Sequence, residues 1–381
     1  MSIEEIFGYI GENADRYISF LARICSFEAD AYDKKTLDEM SDYISDFAIG
    51  EGFSVRRTPF SECGDFLSIE MNVGQERGAL FMAHMDTVHD KGAFGSPAVR
   101  IEGEVMKAPG ATDCKGGIAI ALLTMKALSV AGYKKHLRLI LTSDEEVSNV
   151  LGGEREIAFF TEESRGFPYA LNCETAEGNS VVTARKGIMR FDIAVKGVGG
   201  HSGKHYFQTS NPILECANKI VALQSESREG GITYSCNIFN AGTAINVIPD
   251  TASFSVDVRF PLTEDIEIAR GTVERICAKS FVPGTSAEVI LRSVRPPMQP
   301  DERTDELFLR LDAVSREYGL GELTAVYSGG GSDSAYTQAA GVVSICGLGG
   351  SGGFCHTVRE YMNLSSLAQR AKMLSAFLVK E

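Results

Sequence analysis

Four apolar runs that read as strands are each followed by residues able to carry a proton or hold a metal. They are 79-ALFMAHMD-86, 137-LRLILTSDEE-146, 168-PYALNCE-174 and 342-VVSICGL-348, the last leading to His356. Another short strand pattern, 66-FLSIEMNV-73, precedes them, and a helix pattern runs from about Lys115 to Val130. Two helices open the chain, marked by Ile3, Ile6 and Ile10 and then by Leu37, Met40, Ile44 and Phe47, with Gly50 and Gly52 as the stop. Strands alternating with helices predict an α/β domain with a mixed, mainly parallel sheet flanked by helices. Such sheets bind ligands at the carboxyl ends of their strands, which is where these polar residues fall.

A length of 381 residues argues for about two to three domains. The texture changes near Ala184. Strand patterns at 187-GIMRFDIAVKG-197, 232-ITYSCNIF-239, 251-TASFSVDVRF-260 and 286-SAEVILRSVR-295 alternate with helix patterns at 211–225 and 263–279. The order β-α-β-β-α-β predicts a small ferredoxin-like α+β sandwich inserted in the larger domain. After Pro296 and Pro297 helix and strand patterns resume. The expected division is therefore 1–183 with 298–381 for the larger domain and 184–297 for the insertion.

Composition narrows the class. Lys and Arg number 37 against 51 Asp and Glu, a net charge of -14 that repels phosphate backbones and anionic lipid, so neither nucleic acid nor a membrane is an expected partner. Nine cysteines form no CxxC pair and are odd in number, which suits a reducing compartment better than a disulfide framework. The opening MSIEEIFGYIGENADRYISF is acidic where a secretory leader is basic, and no uncharged apolar run reaches the roughly 18 residues of a membrane span. The expectation is a cytoplasmic protein.

Taken singly, each polar residue has a plain structural reading. His84 and Asp86 are two apart at a strand end and share a face, so the carboxylate either orients a metal-binding imidazole or simply satisfies a buried histidine. Asp113, in a Gly-rich turn before a helix, is either a ligand or an N-cap. Asp144, Glu145 and Glu146 repel one another without a cation or solvent. On an extended segment Glu145 and Glu146 point opposite ways, one free to bind metal and the other to take a proton; the alternative is a solvated loop. The combination is more informative than its parts. His84, Asp113, Glu145, Glu146, Glu174 and His356 gather on one expected edge, and two histidines with several carboxylates suit a pair of zinc ions sharing a bridging carboxylate.

At this point the chain resembles the co-catalytic zinc family of aminoacylases, desuccinylases and exopeptidases that includes glutamate carboxypeptidase, succinyl-diaminopimelate desuccinylase and peptidase T. The matching strings span nearly the whole length: HMDTV at 84–88, GATDCKGG at 110–117, DEE at 144–146, CET at 173–175, GHSG at 200–203, NVIPD at 246–250, VDVRF at 256–260, SGGGSDSAY at 328–336 and CHTVREY at 355–361. The wording is most similar to the glutamate carboxypeptidase group. The resemblance implies that Asp113 bridges two zinc ions, with cobalt or manganese as possible substitutes, that His84 and Glu174 complete one site, and that Glu146 and His356 complete the other. It implies Asp86 as the residue that orients His84, Glu145 as general base, and His201 as an oxyanion donor, often given by a partner subunit. It also implies Asn246, Arg259, Arg295, Gly331 and Ser332 as substrate contacts, Cys114 and Cys173 as packing residues, and the insertion as a lid through which a homodimer forms.

The implied activity is hydrolysis of an amide or peptide bond in a small substrate with a free carboxylate, a small peptide or N-acyl amino acid. An N-acyl amino acid deacylase and a tripeptide aminopeptidase are alternatives within the family, and a catalytically silent metal-binding assembly protein is the non-enzyme alternative. The segment after His201, GKHYFQTSNP, departs from the family's small residues and proline; His205 there is read as covering the lid surface. For the SGGGSDS turn the plain alternative is a helix-entry loop capped by Ser332 or Asp333.

Overall fold

A computed structural model describes residues 2–381. The chain divides into two compact units, one comprising the residues up to Ala184 with Pro300–Tyr327 and Ser332–Glu381, the other Arg185–Gln299 with Ser328–Gly331.

The first unit is built on a six-stranded sheet in the order Ser54–Thr58, Phe66–Met71, His136–Thr142, Arg77–His84, Tyr169–Asn172, Val343–Ile345. The last four run parallel and the first two are antiparallel additions at one edge. Arg77–His84 is central and buried along almost its whole length, as a continuous apolar run in a sheet covered on both faces must be. Alternate residues face opposite cores: Phe81 and Ala83 join the larger one, Leu80 and Met82 the smaller. Helix Gly116–Val130 is apolar on nearly every side and almost wholly buried, because it packs against both Ile3–Cys25 and Ser365–Lys380. The opening helix starts on a capping box in which Ser2 Oγ accepts the Glu5 N–H and the Glu5 carboxylate accepts the Ser2 N–H.

A small antiparallel sheet, ordered Gly352–Gly353, Tyr361–Asn363, Val105–Lys107, Arg100–Glu102, was not anticipated. Its strands are two or three residues long, too short for a periodic signal. Helix Gly153–Ser164 was missed as well.

The second unit is a four-stranded antiparallel sheet, Thr233–Ala241, Thr251–Phe260, Gly187–Lys196, Ser286–Arg295 in spatial order, with helices Pro212–Ser225 and Asp265–Ala278. Its chain order is the expected β-α-β-β-α-β. The strand Thr251–Phe260 alternates between buried and half-buried residues from Ala252 onward, and Phe254, Val256, Val258 and Phe260 enter a core of the unit's own. None of the described helices is long and apolar enough to cross a membrane.

Candidate metal centre

The parallel strands bring four polar segments to one edge. Arg77–His84 ends in His84 itself; His136–Thr142 leads to the acidic triplet; Tyr169–Asn172 leads to Glu174; and Val343–Ile345 leads to the loop bearing His356. Pairing continues past the strand ends, with Met85 N–H donating to Thr142 O at 2.8 Å and Cys173 N–H to Met82 O at 2.8 Å, so these segments are registered by the sheet. The approach of Glu174 depends on absent side chains. A Cβ at Gly117 would lie 1.9 Å from the Cys173 carbonyl oxygen, and one at Gly349 would lie 2.6 Å from that of Glu174.

Asp113 stands between the two histidines. His84 Nε2 lies 3.4 Å from its Oδ1 and His356 Nε2 lies 3.3 Å from its Oδ2. Glu174 Oε1 is 3.7 Å from His84 Nε2, and Glu146 Oε2 is 3.3 Å from His356 Nε2. His84 is 1% exposed, and its Nε2 has no hydrogen-bond partner. A buried ring nitrogen needs a partner, and a cation among His84, Asp113 and Glu174 would supply one, so the donor set fits a divalent metal. Ligand atoms of His84, Asp113 and Glu146 also lie within 4.8 Å of one another.

Asp86 is fully buried and faces two ways. Its Oδ1 is 3.3 Å from His84 Nδ1, and its Oδ2 accepts the Glu146 backbone N–H at 3.0 Å. His84 Nδ1 also lies 3.1 Å from the Asp86 carbonyl oxygen, its hydrogen-bond partner, so Asp86 holds the ring mainly through its backbone while its carboxylate fixes the acidic turn. Residues Glu145–Val147 form a 3-10 turn, which corrects the expectation of an extended segment. The cause is Asp144, whose carboxylate accepts the Leu151 and Gly152 N–H groups at 3.2 and 2.9 Å and whose carbonyl accepts that of Asn149. Asp144 therefore caps the loop while Glu146 faces the histidines, and Glu145 is buried within the turn.

Electrostatics follow from this crowding. Burial works against the Asp113 anion, yet the two imidazoles hold its carboxyl well below the usual range. Burial, together with the charges of Asp113 and Glu145, pushes Glu146 up to about 8 against the pull of the histidines. Contacts with Asp113 and Glu146 raise His356 to about 11. Cys114 Sγ accepts the His84 backbone N–H at 3.3 Å, and burial pushes its thiol up to about 12, as befits a neutral packing residue. Asp113 is not the N-cap of helix Gly116–Val130; that position is Lys115, which makes no side-chain capping bond.

Two groups of buried polar residues centre on carboxylates that the sequence reading did not single out, Glu360 and Glu156. Glu360, 1% exposed, accepts hydrogen bonds from the Gly110, Thr112 and Asp113 N–H groups and contacts His89. Its signal was its place in CHTVREY, four residues after His356. Glu156 and Asp333, also buried, both accept from Asn149 Nδ2, at 2.7 and 3.0 Å. Burial first, then Asp144, raises Glu156 well above the usual carboxyl range.

His201, Asn246, Arg259, Arg295 and Gly331 belong to the second unit. His201 pairs with Val247, and Ser202 N–H donates to Asn246 O, so His201 and Asn246 share one ribbon. Nδ1 of His201 accepts from Gly203 N–H at 3.1 Å, which leaves Nε2 to carry the proton of the neutral ring. Arg259 Nε and Nη2 grip Asp257 at 2.6 and 3.2 Å, and Nη1 reaches Gly329 O at 3.4 Å. The Gly330 and Gly331 carbonyls accept from Arg185, and a Cβ at Gly331 would meet Arg295 Cδ at 3.1 Å. Ser332 is fully buried; its Oγ accepts the Ser334 N–H at 3.3 Å and lies 3.6 Å from Cys346 Sγ.

The model of peptidase family M20/M25/M40 matches residues 80–380. Carboxypeptidase G2 of Pseudomonas sp. (strain RS-16) is 26% identical over 370 residues, covering 95% of this chain and 88% of that protein. Succinyl-diaminopimelate desuccinylase of Ehrlichia ruminantium (strain Welgevonden) is 23% identical over 361 residues, covering 88% of this chain and 91% of its own length. Among solved structures, a tripeptidase from Staphylococcus aureus superposes with a TM-score of 0.78 at 19% identity, covering 97% of this chain and 99% of that one. This last likeness concerns the fold.

Proposed function

This chain belongs to peptidase family M20/M25/M40 and is a hydrolase of peptide or amide bonds, and from that premise we propose that it is a dizinc exopeptidase of carboxypeptidase type. Its substrate in this reading is small and bears a free carboxylate: a short peptide, a C-terminal glutamate amide or an N-acyl amino acid. The observation that carries the reading is the Asp113 carboxylate, with one oxygen toward His84 and the other toward His356.

In this reading His84, Asp113 and Glu174 hold one zinc, and Asp113, Glu146 and His356 hold the other, with cobalt or manganese as substitutes. When bound, the metal pair polarises the scissile carbonyl and makes water acidic enough to deprotonate near neutral pH. Asp86 keeps the His84 ring in position from its Nδ1 side. Glu145 takes the proton from the attacking water and returns it to the leaving amine, the reversible transfer asked of a general base. Nε2–H of His201 donates to the oxyanion. Asn246, Arg259, Arg295 and Gly331 contact the substrate; a guanidinium suits its carboxylate because the planar fork binds two oxygens at once.

The second unit acts as a lid and as the contact of a homodimer in the cytoplasm. The same donor set serves an N-acyl amino acid deacylase or a tripeptide aminopeptidase. A panel of dipeptides, tripeptides, glutamate amides and N-acyl amino acids separates the aminopeptidase from the other two: tolerance of a blocked amine with a strict need for a free carboxylate supports the proposal, whereas a strict need for a free α-amine overturns it in favour of the aminopeptidase. A zinc-loaded chain that hydrolyses none of them reads as the silent binding protein.

A further inference from the structure

Glu360 is a buried carboxylate at the junction of three loops that carry metal-centre residues. Its Oε1 accepts the Thr112 N–H at 3.0 Å and the Asp113 N–H at 3.1 Å; its Oε2 accepts the Gly110 N–H at 3.2 Å and lies 3.1 Å from His89 Nε2. The first three bonds fix the turn that presents Asp113. The fourth reaches the loop that begins at His84 and Asp86, where His89 is itself buried and set edge-on to Phe94. Through its own backbone Glu360 closes the turn that directly follows His356, donating to Thr357 O at 3.0 Å, and the next residue, Tyr361, pairs with Lys107.

We propose that Glu360, with His89, is a positioning residue that holds the bridging Asp113 in register with His84 and His356. The inference rests on the dizinc reading. Three converging backbone N–H groups call for an anion, and only a carboxylate offers acceptors on both sides of the fork. An amide in its place keeps one acceptor oxygen and turns an NH2 toward either the Gly110 N–H or the Thr112 and Asp113 pair. The Asp113 turn then relaxes while the apolar core beneath it is unchanged.

The test is zinc affinity, measured by competition with a chromophoric chelator for the wild-type chain and for Glu360→Gln, beside the melting temperature of each metal-free protein. The expected result is zinc binding weakened by about 10–100-fold, as for partners that orient metal ligands. Folded Glu360→Gln with wild-type zinc affinity overturns the proposal, and a lowered melting temperature with unchanged affinity assigns Glu360 to stability alone. Should Glu360→Gln not fold, His89→Leu carries the test, since it cuts only the tie to the His84 loop; unchanged affinity there overturns the proposal equally. A wild-type chain that takes up no zinc defeats the dizinc reading, while wild-type uptake with unaltered variants defeats this inference alone.

Discussion

At the scale of single residues, the centre is a set of carboxylates whose neighbours assign them different work. Asp86 is committed to His84 and to the Glu146 N–H, Asp144 to the loop that follows, and Asp113 to both imidazoles. In the proposed reading Glu145 is the acid that transfers the proton. Glu145→Gln is expected to keep its zinc and to lose about 10²–10⁴-fold in kcat, read by metal analysis beside steady-state kinetics; a metal-loaded mutant turning over normally removes Glu145 as the base. Asp86 and the acidic triplet were legible because an apolar run precedes each, and Asp113 because of the Gly-rich turn around it. Glu360, held by distant backbone N–H groups, and Glu156, held by the Asn149 amide, were not legible, since a buried carboxylate looks like any surface acid until the chain is folded.

Elements set how close those residues come. The start of helix Gly116–Val130 lies against the Cys173 carbonyl, and only a residue without a side chain fits at 117. Gly117→Val is expected to push the Glu174 segment away, destabilise the first unit by roughly 1–3 kcal/mol and weaken zinc binding; denaturant titration with and without zinc reads both, and wild-type values of both would contradict the account.

In the second unit a buried pair joins its two helices. Lys219 Nζ lies 2.7 Å from Glu215 Oε1 and donates to the Cys277 carbonyl at 2.9 Å near the end of Asp265–Ala278, while Glu215 also accepts the Phe281 and Val282 N–H groups. Burial opposes the Glu215 anion, but Lys219 and those N–H groups lower its pKa below the usual carboxyl value. A carboxyl lowered on folding adds stability above its unfolded pKa of about 4.3, and that stability drains away as the pH falls through the folded value. Glu215→Gln is expected to flatten the acid side of the stability profile; an unchanged slope would show that the pair does not control it. Most long elements were readable from periodicity, helix Gly153–Ser164 excepted. The two- and three-residue strands of the small sheet were not, because so few residues establish no period and tertiary pairing alone makes them strands.

Taken whole, the chain carries separate hydrophobic cores. The cores around helix Gly116–Val130 and around Phe66 and Phe160 lie in the first unit, and that of Phe254 and Val258 lies in the second, with no residue shared. Calorimetry is expected to resolve two transitions, with zinc raising only one, by about 2.7 kcal/mol at a hundredfold excess over its Kd. A single transition, or two that shift together, would mean that the units unfold as one. The switch in texture near Ala184 was visible because an alternating strand pattern replaced near-continuous apolar runs, but composition says little about which small substrate is cut. The most direct test of the central claim is metal content measured on the same sample as hydrolysis of the carboxylate-bearing panel, before and after chelation. The account predicts about two divalent ions per chain and turnover that chelation abolishes and zinc restores. Turnover that persists in the metal-free chain would contradict it.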